Sequence, residues 1–287
     1  MGNDLRYTIR TLSRSPLFTA VCILSLGFGL GAASTMFNFM DRVLWRPLAG
    51  VAEQDQLAGI VNRSNTREWL NSSYPDYRDY RDKTRSFSGV IAHRWQPVFV
   101  GTVGETERAY AQMVSGNYFD VLGVRVIAGR TFNRDEQQER AGAAPVVVLS
   151  ERYWARRYGR DPAVVGSTML VNRFPLKVVG VVGAEFRGTI PGLEFEMWIP
   201  MVMHREVMGS YFLENRASRP LSLYGRLKRG VSVAEANAEV AQLAAALARE
   251  YPQQNEGVSA EAVTVEGHPD GAQRLLREPL YALTALG

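Results

Sequence analysis

The chain has 287 residues and a mass of 32.0 kDa, room for one large domain or two modest ones. At 46 % hydrophobic and 22 % charged, with 33 basic against 29 acidic residues, it is neither a disordered polyampholyte nor, on average, a polytopic membrane protein. A single cysteine, Cys22, excludes an internal disulfide framework, and none of the three lysines (Lys83, Lys177, Lys228) follows a glycine, so the G-x-x-x-x-G-K-[ST] phosphate loop is absent.

In chain order, residues 1–15 come first. Arg6, Arg10 and Arg14 are spaced by four and share one helical face, while Leu5, Ile9 and Leu12 fall on another. This pattern predicts a short amphipathic cytoplasmic segment; a plain basic flank is the alternative. From Ser15 to Met40 there is no charge. As a helix this run reaches ~39 Å, against ~30 Å of hydrocarbon core, so 16–44 is predicted as a transmembrane helix. Gly31-Ala32-Ala33 resembles a signal-peptide cleavage site, but the apolar character continues through Phe37 and Met40, which favours an uncleaved anchor. The arginine excess before the span keeps the N-terminus in the cytoplasm and sends the rest outside. Within the span, Gly27 and Gly31 form a small-x-x-x-small pair suited to close helix packing.

Beyond residue 40 the chain carries 30 basic and 28 acidic residues, a balance with little attraction for nucleic acid. Ser73 and Pro75 start a predicted helix to Lys83. Strands are expected at Val90–Trp95, Val98–Val103 and Thr106–Met113, then a short helix ended by Gly123. Val146–Leu149 reads as a buried strand, followed by a helix capped by Ser150 and stopped by Gly159. Met169–Asn172 and Leu176–Val182 suit a hairpin turning at Arg173-Phe174-Pro175. Ser232-Val-Ala-Glu235 is a capping box between a strand at Leu221–Leu227 and one at Ala260–Val265. The class is α+β, as one extracytoplasmic domain over 45–275. The apolar run at Leu280–Gly287 reads as the start of a second, truncated membrane helix over 276–287.

No catalytic constellation, cofactor loop or metal-ligand spacing stands out. His93, His204 and His268 are isolated in sequence and read as surface or strand filler. Tyr74, Tyr77 and Tyr80 interleave with Arg78, Arg81 and Arg85, a pattern of base stacking, but Asp76, Asp79 and Asp82 neutralise the arginines. The simpler expectation is a solvated helix with local ion pairs.

The opening DLRYTIRTLSRSPLFTAVCILSLGFGLGAASTMFNFMDRVLWRPL resembles the first membrane segment of macrolide-exporter-type (MacB/FtsX-like) ABC transporter permeases, especially the long permeases abundant in acidobacteria. SYPDYRDYRDKTRSFSGV, MVSGNYFDVLGVRVIAGRTF, PVVVLSERYWARRYGRDPAVVGSTMLVNRFPLKVVGVV and YGRLKRGVSVAEANAEVAQLAAAL resemble successive blocks of that family's periplasmic core domain. The resemblance implies a fragment of a longer inner-membrane permease, which dimerises or pseudo-dimerises and is driven by a separate or fused ABC ATPase. It implies a porter-like part from about 50–115 with 220–270, an inserted part over 116–219, and transport or efflux by transmitted motion. It offers no catalytic residues. The rival reading is a single-span anchored binding or sensing domain without transport.

Overall fold

The computed structural model describes residues 16–40, 48–102 and 104–269. The chain divides into two compact units, Met1–Arg46 and Pro47–Gly287. In the first, helix α1 spans Pro16–Met40. Among the described residues no helix is long and apolar enough to cross a membrane. Membrane spanning by 16–44 rests on the uncharged sequence. The segments 1–15 and 276–287 lie outside the described residues.

The second unit is built on one mixed sheet of eleven strands. These are β1 (Leu57–Ser64), β2 (Arg67–Leu70), β3 (Phe87–Val100), β4 (Glu107–Val114), β5 (Val126–Gly129), β6 (Val146–Ser150), β7 (Thr168–Val171), β8 (Phe174–Val182), β9 (Met197–Pro200), β10 (Ser222–Leu227) and β11 (Val258–Thr264). The order is β11-β1-β10-β3-β4-β9-β6-β8-β5, with β2 on β1 and β7 bridging β3 and β8. Strands from 57–114 and 222–264 make one end of the sheet and those from 126–200 the other. They meet where β4 and β9 run parallel, Ala111↔Met197 through Val114↔Pro200, and again where β7 pairs with the end of β3 at Val100↔Val171.

Alternation along these strands buries both faces. Val147, Leu149, Met197 and Ile199 join a core beneath helices α2 (Tyr74–Lys83), α4 (Glu151–Tyr158) and α6 (Val233–Glu250). Their neighbours Val146, Val148 and Trp198 join a second, aromatic core with helix α3 (Tyr118–Leu122) and Phe186. Helix α5 (His204–Met208) and the turn α7 (Pro252–Asn255) complete the element set.

Several expected elements form for the expected reasons. Ser73 accepts from Asp76 N to cap α2, and Ser150 accepts from Tyr153 N to cap α4. Gly123 and Gly159 end α3 and α4 in the left-handed conformation. The Ser232/Glu235 capping box opens α6 with both reciprocal bonds made. Strands β10 and β11, joined by α6, both run antiparallel to β1 and leave it between them. Asn237 on α6 accepts the outward-facing N–H of Ala262 at 2.9 Å, which blunts the open edge at β11.

Three expectations are corrected. The two strands expected on either side of Gln96-Pro97 are one strand, β3. Ala92 pairs with Ser115 on the β4 side and Phe99 with Asn172 on the other, so odd-numbered β3 residues face away from β4. Pro97 therefore withholds its missing donor from the open edge, and no ladder bond is lost. The β7–β8 hairpin turns at Asn172-Arg173, with φ of 48° and 69°, so Phe174 and Pro175 already belong to β8. Two positive φ values are what a two-residue hairpin with matching twist requires. Finally, the helix at 74–83 is not solvated. Tyr74, Tyr77 and Tyr80 recur every three residues, share one face and are at most 2 % exposed.

Candidate functional site

Asp76 lies on α2 close to the tyrosine face and is itself 2 % exposed. A buried carboxylate needs compensating charge, and here it comes from 140 residues away. Arg216 donates to one carboxylate oxygen and Arg219 to the other at 2.7 Å, while Asn255 Nδ2 donates at 3.1 Å. Arg216 also reaches Asp79 at 2.7 Å and lies 3.8 Å over the Tyr251 ring. On the next turns Arg78 binds Glu139 (2.8 Å) and Glu214 (3.0 Å), and Arg81 binds Glu139. Helix α2 is thus tied to the loop around 139, to the segment 214–219 that leads into β10, and to the turn after α6. Local pairs exist only at Arg81–Asp82 and Lys83–Asp79. The hub is invisible in sequence because its partners are distant; the spacing of Tyr74, Tyr77 and Tyr80 was the available sign that this face is buried.

A second buried polar cluster sits at the β4–β9 junction. Gln112 is fully buried, and its Oε1 accepts from the Tyr118 hydroxyl (3.0 Å), Trp198 Nε1 (3.0 Å) and Thr189 N (3.4 Å). Its Nε2 donates to Thr189 Oγ1 at 3.2 Å. One amide therefore links β4, β9, α3 and the loop 186–195.

The histidines are neither surface residues nor all isolated: each is at most 2 % exposed. His93 and His268 flank the Tyr224 ring at 5.7 and 4.6 Å. Gly59 makes the approach of His268 possible, since a Cβ there would come within 2.4 Å of the imidazole. His204 Nδ1 donates to the Ser210 carbonyl at 2.7 Å, which leaves Nε2 to accept from Arg94 at 3.2 Å. Burial pushes His204 down to about 4; its bond to Ser210 opposes this and the Arg94 charge adds to it.

Folded His204 thus binds its proton well below the usual imidazole value, so the unfolded chain holds more protons between the two. The resulting stability is complete above pH ~6.5 and is lost as pH falls towards 4. Going from pH 7 to 5 is expected to cost about 2 kcal/mol through this group. Urea midpoints at both pH values in wild type and His204→Leu check this: the variant should lose that part of the pH dependence, and an unchanged pH dependence would refute the assignment.

Gly27 and Gly31 stand one turn apart on α1, and a Cβ at either meets nothing within 4 Å. Thr35 Oγ1 donates to the Gly31 carbonyl at 2.8 Å. Arg6, Arg10 and Arg14 lie outside the described residues. Among the described residues no group of three His, Cys, Asp or Glu is placed to hold a metal ion. The ionic hub and the Gln112 cluster hold chain segments together; neither sets a nucleophile beside a base.

The family model of the MacB-like periplasmic core domain matches residues 19–243. The macrolide export ATP-binding/permease protein MacB of Escherichia coli (strain K12) is 34 % identical over 138 residues, 47 % of this chain and 19 % of that protein. The MacB of Shigella dysenteriae serotype 1 matches at the same identity and coverage. The chain therefore spans about a fifth of the length of these relatives. The periplasmic region of MacB from Actinobacillus actinomycetemcomitans shares the fold, with a TM-score of 0.55 and 17 % identity over 79 % of this chain and 94 % of that one. The extracellular domain of the ABC-type transporter YknZ from Gram-positive bacteria aligns with a TM-score of 0.52 and 15 % identity, over 71 % and 98 % of the two chains.

Proposed function

The chain belongs to the family of MacB-like periplasmic core domains, and from that premise we propose that it is the N-terminal part of an ABC-type permease that transmits motion from a cytoplasmic ATPase to an extracytoplasmic domain. The observation that carries this reading is the extent of the family match, which begins inside the uncharged helix and reaches residue 243, beyond ten of the eleven strands. In this reading 16–44 spans the inner membrane. Segment 1–15 lies on the cytoplasmic side, where Arg6, Arg10 and Arg14 face the ATPase subunit. Gly27 and Gly31 pack against another span, within the permease or its dimer partner. The domain over 45–275 is periplasmic, with 50–115 and 220–270 as the porter-like part and 116–219 as the insert, and 276–287 begins the second span.

The fold suits a lever. A force applied at one end of the sheet would reach the other through the β4–β9 and β3–β7 pairings and through the Arg78 and Arg81 pairs with Glu139. In this reading ATP hydrolysis belongs to an ABC ATPase, separate from or fused to the permease; the 287 residues contain no G-x-x-x-x-G-K-[ST] loop.

Two measurements on the full-length permease test the reading. In a Cys22→Ser background, Glu105→Cys is expected to react with a membrane-impermeant maleimide from the periplasmic side; protection there refutes the topology. An ATPase subunit is expected to co-purify from native membranes, and reversing Arg6, Arg10 and Arg14 to Glu should cut its recovery more than about tenfold. Unchanged assembly, topology and activity in that triple variant would remove the basic face from the mechanism.

A further inference from the structure

Strand β10 stops at Ser222, opposite His93, while β3 runs on to Val100. The step between them is a cavity of about 400 Å³ lined by Asn71, His93, Trp95, Leu193 and Ser222 among others, within the size range of small-molecule sites. Alternation carries the same sheet face on from Trp95 to Pro97 and Phe99, and across to Tyr110, the partner of Pro97 on β4. Toward the Val100 end this face is open, with Trp95 47 % exposed, Phe99 56 % and Tyr110 39 %, and Leu193 of the loop beside the cavity is 44 % exposed. The Trp95 and Tyr110 rings stand 6.2 Å apart, and Arg108 lies 5.2 Å over Tyr110. A cluster of open aromatic rings beside a polar cavity marks a binding surface.

The lining chemistry narrows the ligand. No carboxylate or ammonium group lines the cavity. The guanidinium of its one charged residue, Arg94, is turned to His204 and Phe212, the side of β3 opposite His93 and Trp95. What remains is the side-chain amide of Asn71 beside the aromatic and aliphatic faces of Trp95, Ile190, Leu193 and Pro220. An extended peptide is poorly served, because Pro97 offers no donor on the open edge of β3 and Phe99 is already paired with Asn172. We propose that this cavity and its aromatic strip bind a neutral polyhydroxylated chain, a glycan. The aromatic faces take the C–H faces of successive sugars, and Asn71 exchanges hydrogen bonds with sugar hydroxyls at the cavity end. The site is independent of the permease reading above.

The test titrates the full chain, in a zwitterionic detergent free of sugar headgroups, with chitotetraose and with maltotetraose, followed by tryptophan fluorescence and calorimetry. At least one glycan is expected to bind saturably with a Kd of about 0.1–1 mM. Trp95→Ala should weaken binding more than about tenfold, and Trp95→Phe, which keeps a ring, should stay within about threefold of wild type. No saturation by either glycan at about 10 mM, or binding indifferent to Trp95→Ala, overturns the proposal. So does concentration-dependent self-association in sedimentation velocity that Trp95→Ala abolishes, since the face would then belong to a second copy of the chain.

Discussion

Replacing Asp76 with alanine is expected to lower the unfolding free energy by about 3–5 kcal/mol, because it leaves buried Arg219 without a carboxylate and Arg216 with Asp79 alone. The Arg216 and Arg219 side chains are only 13 % and 8 % exposed, and both aim at the carboxylate that would be lost. Neither can shed its proton to escape, since a guanidinium stays charged at any accessible pH. Asp82 on the same helix provides the control: its side chain is 58 % exposed and pairs only with adjacent Arg81. Asp82→Ala should change stability by less than about 0.5 kcal/mol. Urea unfolding of the full chain reads both as midpoint shifts at constant slope. Equal, small shifts would show that the hub does not hold the domain. Hydrogen exchange adds a local readout: in Asp76→Ala, amides of 214–219 should exchange faster than those of β6.

The second large effect is expected at the sheet junction. Gln112→Leu preserves much of the side-chain volume but removes the acceptor shared by Tyr118, Trp198 and the Thr189 N–H. Trp198 Nε1 and the Thr189 N–H lose their acceptor, whereas the Tyr118 hydroxyl keeps Thr189 Oγ1 at 3.0 Å; at about 1–3 kcal/mol for each buried donor left unsatisfied, about 2–4 kcal/mol in total is expected. A double-mutant cycle with Trp198→Phe should return a coupling of at least about 1 kcal/mol, as the two side chains share one bond. A loss below about 1 kcal/mol for Gln112→Leu would mean that water or a repacked side chain replaces the amide, and the junction would not depend on it. Since Gln112 pairs with Trp198 across β4 and β9, the same variant should also loosen β9 in hydrogen exchange.

Much of the local structure was legible before any tertiary contact was known. Ser73, Ser150 and Ser232 announce three helices because an N-cap acts within four residues of itself. Gly123 and Gly159 end theirs by backbone freedom alone. The uncharged run Ser15–Met40 and the arginines before it were equally plain. Strand β1 was missed although it lies between β10 and β11, since Leu57–Ser64 shows no clean alternation: six of its residues are buried, on both faces. The two runs of β3 were divided at Pro97 because proline stops a strand only where its donor is needed, and which edge is open depends on the neighbours. The same dependence hid the hub. Asp76 looked neutralised by Arg78 and Arg81, yet those arginines turn to Glu139 and Glu214, and Asp76 takes Arg216 and Arg219.

The sequence by itself determined the family, the α+β class, the capped helices and the apolar helix that precedes the domain, because each depends on residues close together or on long ordered motifs. Only the tertiary structure decided how the two ends of the sheet join, why all three histidines are buried, and which charges meet at Asp76. Those outcomes depend on pairs separated by as many as 179 residues and on low-polarity surroundings that exist only once the chain has closed around them.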